Sequence, residues 1–538
     1  MNAPYAHADT SKTVFSPINR LKHPGMDKEK KTIRMLVVRT MGALLLAGLL
    51  SGCAGTLQPV DTPDEFTPPP ADARVWRELE TLRQDDWFYL LNIGSEALDW
   101  RLRAIDSAVD SLDLQTFIWE LDGSGTAIKQ HLLNAAERGV FVRVLVDDSF
   151  ILDADEELLD IDLHPGIELK VFNPYRRRSS NAGLRELLNL GEFHRLDHRM
   201  HNKVMVVDNQ VAIVGGRNLA NHYFGYDAND NFRDMEIVTG GSVVQQLATG
   251  FDEYWNDEWS FPVAEVMQQR AGPGSPARVE VSGALAPDAH AEQTAEQRLR
   301  DWTRMAGSAH SGTARLLLDA PPTDNPAEAD QAPVQVGQKL VEEIDRARRD
   351  VWLISAYLIP TRELEAAIRR AEERGVQVRI LTNSISSNNH LAAHSAYRKH
   401  VQNLVEMGVE VHEVRAYAKD RDLYIESPVE DKSLCLHAKI MVIDDDRLFI
   451  GSANLDPRSL RINTEMGLLI DSPSLNKQLR EALAPDFSLR NAWRLDLNDD
   501  GHITWVSDDE TLPHQPTHSY MRRIEDWFMT LLPIEDEM

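Results

Sequence analysis

Apolar and polar positions form two similar sets of predicted elements along the chain. Each set contains an apolar strand, an amphipathic helix that ends at a glycine, and a second apolar strand. In the first set these are Leu112–Trp119, a helix ending at Gly139, and Val140–Val146. In the second set they are Val351–Leu358, a helix ending at Gly375, and Val376–Leu381. Strands that alternate with helices predict an α/β sandwich in each half of the chain.

The two sets belong to an internal repeat. Residues 136–145 match residues 372–381 at an offset of 236 positions. The same offset separates His201 from His437, Gly215 from Gly451, and Asn218 from Asn454. Duplication explains a constant offset over so long a stretch better than coincidence does. We therefore predict two duplicated α/β sandwich lobes that pack with pseudo-twofold symmetry.

Each repeat contains a His-x-Lys-x4-Asp motif within an apolar, strand-like run. The motifs run from His201 to Asp208 and from His437 to Asp444. Side chains at positions i and i+2 of a strand share a face, so each histidine and its lysine, Lys203 or Lys439, should point toward one ligand. The aspartates stand at odd spacing from the histidines. Strand parity therefore predicts that they point away and have a structural role.

A glycine turn and a short polar signature follow each motif strand. The two signatures are Val214–Asn218 and Ile450–Asn454. Asparagine and lysine are both hydrogen-bond donors, one neutral and one charged, and together they can hold phosphate oxygens. We predict that Asn218 and Asn454 bind phosphate beside the two lysines.

A catalytic histidine also needs a partner that orients its ring. A carboxylate at the second ring nitrogen fixes the tautomer and stabilises the imidazolium. Asp234 follows the first motif and Glu465 follows the second, in the related contexts Arg-Asp-Met and Thr-Glu-Met. We predict that these two carboxylates support the two histidines.

The duplicated motif resembles the signature of the phospholipase D superfamily. Further segments resemble the bacterial cardiolipin synthases of type C, among them Leu112–Trp119, Asp456–Ser459, Asn463–Gly467 and Ile503–Val506. The resemblance extends over residues 85–535. The N-terminal lipobox-like segment and the acidic middle of the chain depart from it.

This resemblance implies a catalytic group made of the motif residues His201, Lys203, Asp208, His437, Lys439 and Asp444. It implies that His201 attacks the phosphodiester and forms a phosphohistidine, whereas His437 protonates the departing alcohol and then deprotonates the incoming one. The symmetry of the motifs leaves the reverse assignment open. No cofactor or metal is expected, because two lysines supply the positive charge that a metal would provide.

The resemblance also implies substrates, and alternatives remain open. The implied reaction transfers phosphatidyl from phosphatidylethanolamine to phosphatidylglycerol. Hydrolysis that releases phosphatidic acid would use the same motifs with water as the acceptor. The formal net charge of −28 disfavours a nuclease, because nucleic-acid binding needs basic surface. A lipid-binding lipoprotein with relic motifs is disfavoured because every motif residue is present.

The N-terminal region is typical of a bacterial lipoprotein signal. Basic residues precede the short apolar run Met41–Leu50, which is too short to span a membrane and ends at Leu50–Cys53. This segment resembles a lipobox and implies lipidation of Cys53; an uncleaved anchor is the alternative. We expect a lipid-anchored protein of the cell envelope, with the outer membrane favoured.

Composition and the repeat predict the domain boundaries. Residues 1–52 are a preface and signal peptide, 53–84 a Pro-rich tether, 85–264 the first lobe, 265–335 a linker, 336–500 the second lobe, and 501–538 a C-terminal tail. Apolar residues at helical spacing within 519–532 predict an amphipathic helix in the tail. A short helix is also expected within the linker, at Gln293–Met305.

Overall fold

The structure is a computed structural model. It describes residues 62–149, 155–176, 189, 192–268, 293–322 and 335–517. The predicted signal peptide, Cys53 and the predicted helix within 519–532 lie outside these residues.

The first lobe is built on a nine-stranded sheet. Its strands are β1 Trp87–Leu91, β2 Ser111–Thr116, β3 Phe141–Asp147, β4 Ile167–Phe172, β5 Val204–Val207, β6 Val211–Gly215, β8 Glu236–Gly240, β9 Ser260–Pro262 and β10 His310–Ser311; β7 Asp230–Arg233 lies apart from it. The helices are α1 Arg74–Leu82, α2 Gly94–Ser107, α3 Gly123–Glu137, α4 Asp155–Asp162, α5 Phe193–Asp197, α6 Asn221–Phe224, α7 Ser242–Trp255, α8 Val263–Gln268 and α9 Ala295–Ser308.

The second lobe is built on a ten-stranded sheet. Its strands are β11 Thr313–Leu318, β12 Asp350–Ser355, β13 Gln377–Asn383, β14 Glu410–Val414, β16 Lys439–Ile443, β17 Arg447–Gly451, β18 Met466–Asp471, β19 Ala492–Leu497, β20 Ile503–Val506 and β21 Thr511–Leu512. The helices are α10 Gln335–Arg346, α11 Arg362–Glu373, α12 Leu391–Tyr397, α13 Val401–Glu406, α14 Pro457–Arg461 and α15 Pro473–Leu483. The remaining strand, β15 Ser433–Leu436, pairs in parallel with β7 of the first lobe.

The two large sheets have the same strand order. The order is β1-β8-β6-β5-β2-β3-β4-β9 in the first lobe and β11-β18-β17-β16-β12-β13-β14-β19 in the second. In each sheet the three strands β2-β3-β4 or β12-β13-β14 are parallel and the others pair antiparallel. The predicted α/β class and the duplicated lobes are confirmed.

Strand alternation explains why the lobes adhere. On β5, Val204 and Val206 face an apolar cluster that both lobes share, whereas Met205 and Val207 face the core of the first lobe. On β16, Ile440 and Val442 belong to the shared cluster, and the intervening residues pack inside the second lobe. Each motif strand is therefore buried on both faces, and burial of apolar surface holds the lobes together.

Part of the predicted linker is structured and belongs to both sheets. The helix expected near Gln293–Met305 is α9, which packs Trp302 and Met305 into the core of the first lobe. The chain then adds β10 to the first sheet and β11 to the second. Strand β11 pairs with β18 as β1 pairs with β8, so the structural repeat begins within the segment that composition alone assigned to a linker.

The second half of the predicted tether packs on the first lobe. Helix α1 buries Trp76, whose indole donates to the Asp208 carboxylate at 2.7 Å. Upstream, the Thr67 hydroxyl donates to Asp113, and Arg143 donates to Thr67. The sequence reading missed these contacts because a Pro-rich composition reports local backbone preference and not burial.

The beginning of the predicted C-terminal tail is also part of a sheet. Strand β20 pairs with β19, and β21 pairs with β20. Within the described ranges, no helix combines the length and the apolar composition that crossing a membrane requires.

We predict that Trp76→Ala destabilises the first lobe. The indole is 1% exposed and would leave a large cavity, so we expect a loss of about 3–5 kcal/mol in the free energy of unfolding. Chemical denaturation measures this loss. The matched control is Phe66→Ala, because Phe66 is 68% exposed and precedes the same helix. Equal stability of the two variants would contradict the packing of α1.

Candidate active site

The two motif histidines lie where their strands begin, on the walls of one cavity between the lobes. His201 precedes β5 and His437 precedes β16, and both line a cavity of about 650 Å³. Phe117 packs edge-on against the His201 ring, and Tyr223 packs edge-on against the His437 ring. The symmetric repeat thus forms a single site.

Each histidine is held by the carboxylate of the other lobe. Nδ1 of His201 donates to Glu465 at 2.9 Å, and Nδ1 of His437 donates to Asp234 at 2.6 Å. The structure therefore brings both predicted carboxylates to the histidines, in a crossed arrangement. A hydrogen bond at Nδ1 leaves Nε2 for a reacting group, and both rings line the cavity.

Backbone hydrogen bonds also join each histidine to the other lobe. The N–H of His201 donates to the carbonyl of Thr464, and the N–H of His437 donates to the carbonyl of Arg233. These carbonyls belong to the residues directly before Glu465 and Asp234. Each lobe thus supplies two consecutive contacts to the other lobe's histidine, so the position of each ring depends on how the lobes dock.

The motif lysines are buried beside the histidines. The ammonium group of Lys203 donates to the carbonyl of His201 at 2.6 Å, and that of Lys439 donates to the carbonyl of His437. Both side chains are almost completely buried. Each lysine therefore places a charge close to its histidine.

The predicted phosphate-binding asparagines both line the cavity. The amide of Asn218 donates to the Tyr223 hydroxyl at 2.8 Å and accepts from the N–H of Ile118 at 3.1 Å. The Oδ1 atom of Asn454 is buried without a hydrogen-bond partner among the described residues. Asn218 is thus held in place, whereas Asn454 lines the cavity with an Oδ1 acceptor that the described residues leave unused.

The motif aspartates have contacts of a structural kind. Asp208 follows β5 and accepts from the N–H groups of Asp110 and Ser111. Asp444 follows β16 and accepts from the N–H of Arg349 at 2.7 Å. Both follow their strands, at the ends opposite the histidines. This geometry corrects their inclusion in the catalytic group, because their carboxylates bind backbone amides there.

Burial and the lysines set the protonation of the histidines. Burial, followed by the charges of Lys203 and Lys439, lowers the pKa of His201 well below its usual range. Burial and Lys439 likewise lower the pKa of His437, although Asp234 opposes them. Both rings are therefore neutral at pH 7, the state in which an imidazole can act as a nucleophile or base.

The two carboxylates respond differently to their surroundings. Burial raises the pKa of Glu465 to about 7. Burial also acts to raise the pKa of Asp234, but the hydrogen bond to His437 and nearby cations lower it to about 2. The two halves of the site are thus alike in geometry and different in charge.

The sequence did not predict the residues that lie next to the Asp234 and Glu465 carboxylates, at positions 216 and 452. Gly216 leaves no room for a side chain, because a Cβ atom there would lie 2.5 Å from the Asp234 carboxylate. At the repeat-equivalent position, the Ser452 hydroxyl donates to Glu465. Comparing the glycine signatures of the two repeats would have singled out this position. Its role needed the structure, since both carboxylates come from distant segments.

Together these groups can perform chemistry on a phosphodiester. Two neutral imidazoles, each with an orienting carboxylate, lie beside two buried lysines and two asparagines. One imidazole can attack phosphorus while the other transfers a proton, and the lysines can offset charge that develops on the phosphoryl oxygens.

Comparisons with known proteins agree with this geometry. The family model described as "Cardiolipin synthase, PLD-like domain" matches residues 102–255 and 340–486. Cardiolipin synthase C of Escherichia coli is 33% identical over 453 residues, which cover 82% of this chain and 93% of that protein. An uncharacterized protein of Helicobacter pylori is 31% identical, covering 82% of this chain and 88% of its own. The crystal structure of phosphatidylserine synthase from Haemophilus influenzae shares the fold, with a TM-score of 0.54, 14% identity, and coverage of 87% of this chain and all of that one.

We predict that Asp234→Asn and Glu465→Gln each lower kcat by a factor of about 10² to 10⁴, because an amide does not stabilise the imidazolium and can select the wrong tautomer. The steady-state rate of phosphodiester cleavage measures this loss of kcat. The control is Asp162→Asn, which alters a carboxylate that accepts from the N–H of Leu169. Full activity of either amide variant would contradict the crossed pairs.

We also predict an alkaline decline in kcat/KM. Burial lowers the pKa of Lys203 to about 7 and that of Lys439 to about 8. Each lysine is a cation below its pKa and a neutral amine above it, so attraction for phosphate should weaken as the pH rises from 7 to 9. A pH profile of kcat/KM reports the free enzyme and measures this decline. Lys203→Arg should move the decline to higher pH, and a constant kcat/KM up to pH 9 would contradict the expectation.

Proposed function

The chain belongs to the cardiolipin synthase, PLD-like domain family, and from that membership we propose that it is a phosphatidyltransferase that works through a phosphohistidine. The observation that carries the proposal is the pair of crossed histidine–carboxylate contacts on one cavity. Double displacement at phosphorus needs one nucleophile and one proton-transfer group, and the cavity offers two oriented imidazoles.

In the first half-reaction, Nε2 of His201 attacks phosphorus and forms a P–N bond. The P–O bond to the headgroup alcohol breaks, and the departing oxygen receives a proton from His437. Lys203 and Lys439 offset the charge on the phosphoryl oxygens, and the NH₂ group of Asn454 donates to one of these oxygens. His437 must therefore gain a proton before this step, and the Asp234 carboxylate stabilises its imidazolium.

In the second half-reaction, the hydroxyl group of an acceptor lipid gives its proton to His437 as its oxygen attacks phosphorus. The P–N bond to His201 then breaks, which restores the free imidazole. With phosphatidylglycerol as the acceptor and phosphatidylethanolamine as the donor, the products are cardiolipin and ethanolamine. With water as the acceptor, the product is phosphatidic acid.

The cavity walls support a lipid substrate. Phe117, Tyr223, Phe232 and Tyr357 line the same cavity as the histidines. Aromatic rings supply apolar surface beside the polar groups that would hold the phosphate. We propose that the membrane supplies the substrates and that lipidated Cys53 anchors the protein to the bacterial cell envelope, on the outer membrane.

Identification of the products tests the function. Purified protein is incubated with phosphatidylglycerol, with and without phosphatidylethanolamine, and lipids are identified by mass spectrometry. We expect cardiolipin from the wild-type protein and at least about a 10³-fold lower rate for His201→Ala, since loss of a nucleophile removes most of the catalysis. Phosphatidic acid as the sole product would favour the hydrolase, and no turnover would overturn the proposal.

The intermediate has a separate test. His437→Asn should slow both half-reactions, because His437 transfers a proton in each, and the phosphohistidine that forms at His201 should persist long enough for quenching at alkaline pH and peptide mass spectrometry to detect it. Phosphorylation of His437 in a His201→Asn variant would instead support the reverse assignment. The double variant is the control and should carry no phosphate.

A further inference from the structure

Asp319 is a buried carboxylate close to the site that the proposed mechanism does not use. It follows β11, in the segment that composition assigned to a linker, and it is 2% exposed. Its Oδ1 accepts from the N–H of Val336 at 2.9 Å, and its Oδ2 accepts from the N–H of Glu465 at 3.1 Å. Removing a carboxylate from water costs free energy, so its presence at this buried position calls for a structural or functional explanation.

The backbone of Asp319 is tied to the same place. Its N–H donates to the carbonyl of Glu465 at 3.0 Å, and its own carbonyl accepts from the Tyr254 hydroxyl at 2.6 Å. Glu465 is thus bonded to Asp319 through both its N–H and its carbonyl. Asp319 is fixed in turn by α7 of the first lobe and by the start of α10.

The other half of the site lacks this arrangement. The equivalent strand β1 is followed by Asn92 and Ile93, which carry no carboxylate. The groups around Asp234 are cations instead, since Arg217 and Arg233 both donate to its backbone carbonyl. The Asp319 carboxylate therefore binds the backbone of Glu465, whereas the guanidinium groups of Arg217 and Arg233 bind the backbone of Asp234.

We propose that Asp319 is a positioning residue that holds Glu465 against His201 and makes the His201 half of the site differ from the His437 half. This inference rests on the proposed function only for its activity assay. The physical reason is that the Glu465 carboxylate can orient His201 only if its backbone is fixed. Both backbone bonds that fix it come from one residue.

The local charges agree with this role. Glu465 and Tyr254 are titratable groups that lie against Asp319. Burial, with the nearby Glu465, raises the pKa of Asp319 to about 8. The N–H groups of Val336 and Glu465 oppose this shift, because they stabilise the ionised carboxylate of Asp319.

The test is Asp319→Asn, with Asp86→Asn as its matched control. Asparagine has one acceptor oxygen, so it must lose either the Val336 or the Glu465 N–H and place an NH₂ group against it. Asp86 also accepts one backbone N–H at each oxygen, from Val243 and from Ala314 in β11. Both substitutions should lower the melting temperature, but only Asp319→Asn disturbs Glu465.

We expect Asp319→Asn to lower kcat by roughly 10- to 100-fold with KM within about twofold, since a displacement of a catalytic group by about 1 Å costs that much. Asp86→Asn should keep kcat within about twofold of the wild type when both are measured on folded protein. Equal losses of kcat in the two variants would overturn the proposal.

A second measurement needs no turnover. Diethyl pyrocarbonate reacts with neutral imidazole, and peptide mass spectrometry can follow its rate at His201 and His437 as a function of pH. Asp319→Asn should change the profile of His201 and leave that of His437 as in the wild type, whereas Asp86→Asn should change neither. Equal changes at both histidines, or none at His201, would overturn the positioning role. An inactive wild-type protein with a selective change at His201 would overturn the proposed function alone.

Discussion

The crossed contact between each histidine and the carboxylate of the other lobe is the constraint on which the rest of the site depends. Glu465 directly precedes β18 and Asp234 lies between β7 and β8, and each binds Nδ1 of a histidine that belongs to the other lobe. The backbone N–H of each histidine likewise donates to a carbonyl of the other lobe. Neither lobe alone can orient its own imidazole, so docking of the lobes and assembly of the active site are the same event.

Burial of these charged and polar groups costs free energy, and it also gives them the properties that catalysis needs. Two lysines, two histidines and two carboxylates lose most of their water at the centre of the molecule, and such groups are stable there only when they are paired and hydrogen-bonded. The apolar cluster that the lobes share packs against one face of each motif strand and offsets part of the cost. The same desolvation keeps the imidazoles neutral and strengthens the attraction of the lysines for phosphate.

Alternating apolar residues at a constant offset were enough to predict the α/β class and the duplication, because strand and helix periods are local properties. Composition misplaced two boundaries. Trp76 lies in a Pro-rich stretch read as a tether, and β11 lies in an Ala- and Pro-rich stretch read as a linker, yet both are packed. Their burial depends on surfaces supplied by residues more than a hundred positions away, such as Asp208 for Trp76 and Glu465 for Asp319.

By itself, the sequence determined which residue types the site contains, since the duplicated motifs supply them at a constant offset. It also singled out Asp234 and Glu465 as carboxylates without indicating which histidine each would reach. Only the tertiary structure decided the exchange of partners between lobes and the place of Asp319 behind Glu465. Both depend on how two sheets dock, and that geometry is set by packing across the shared apolar faces and not by any local segment.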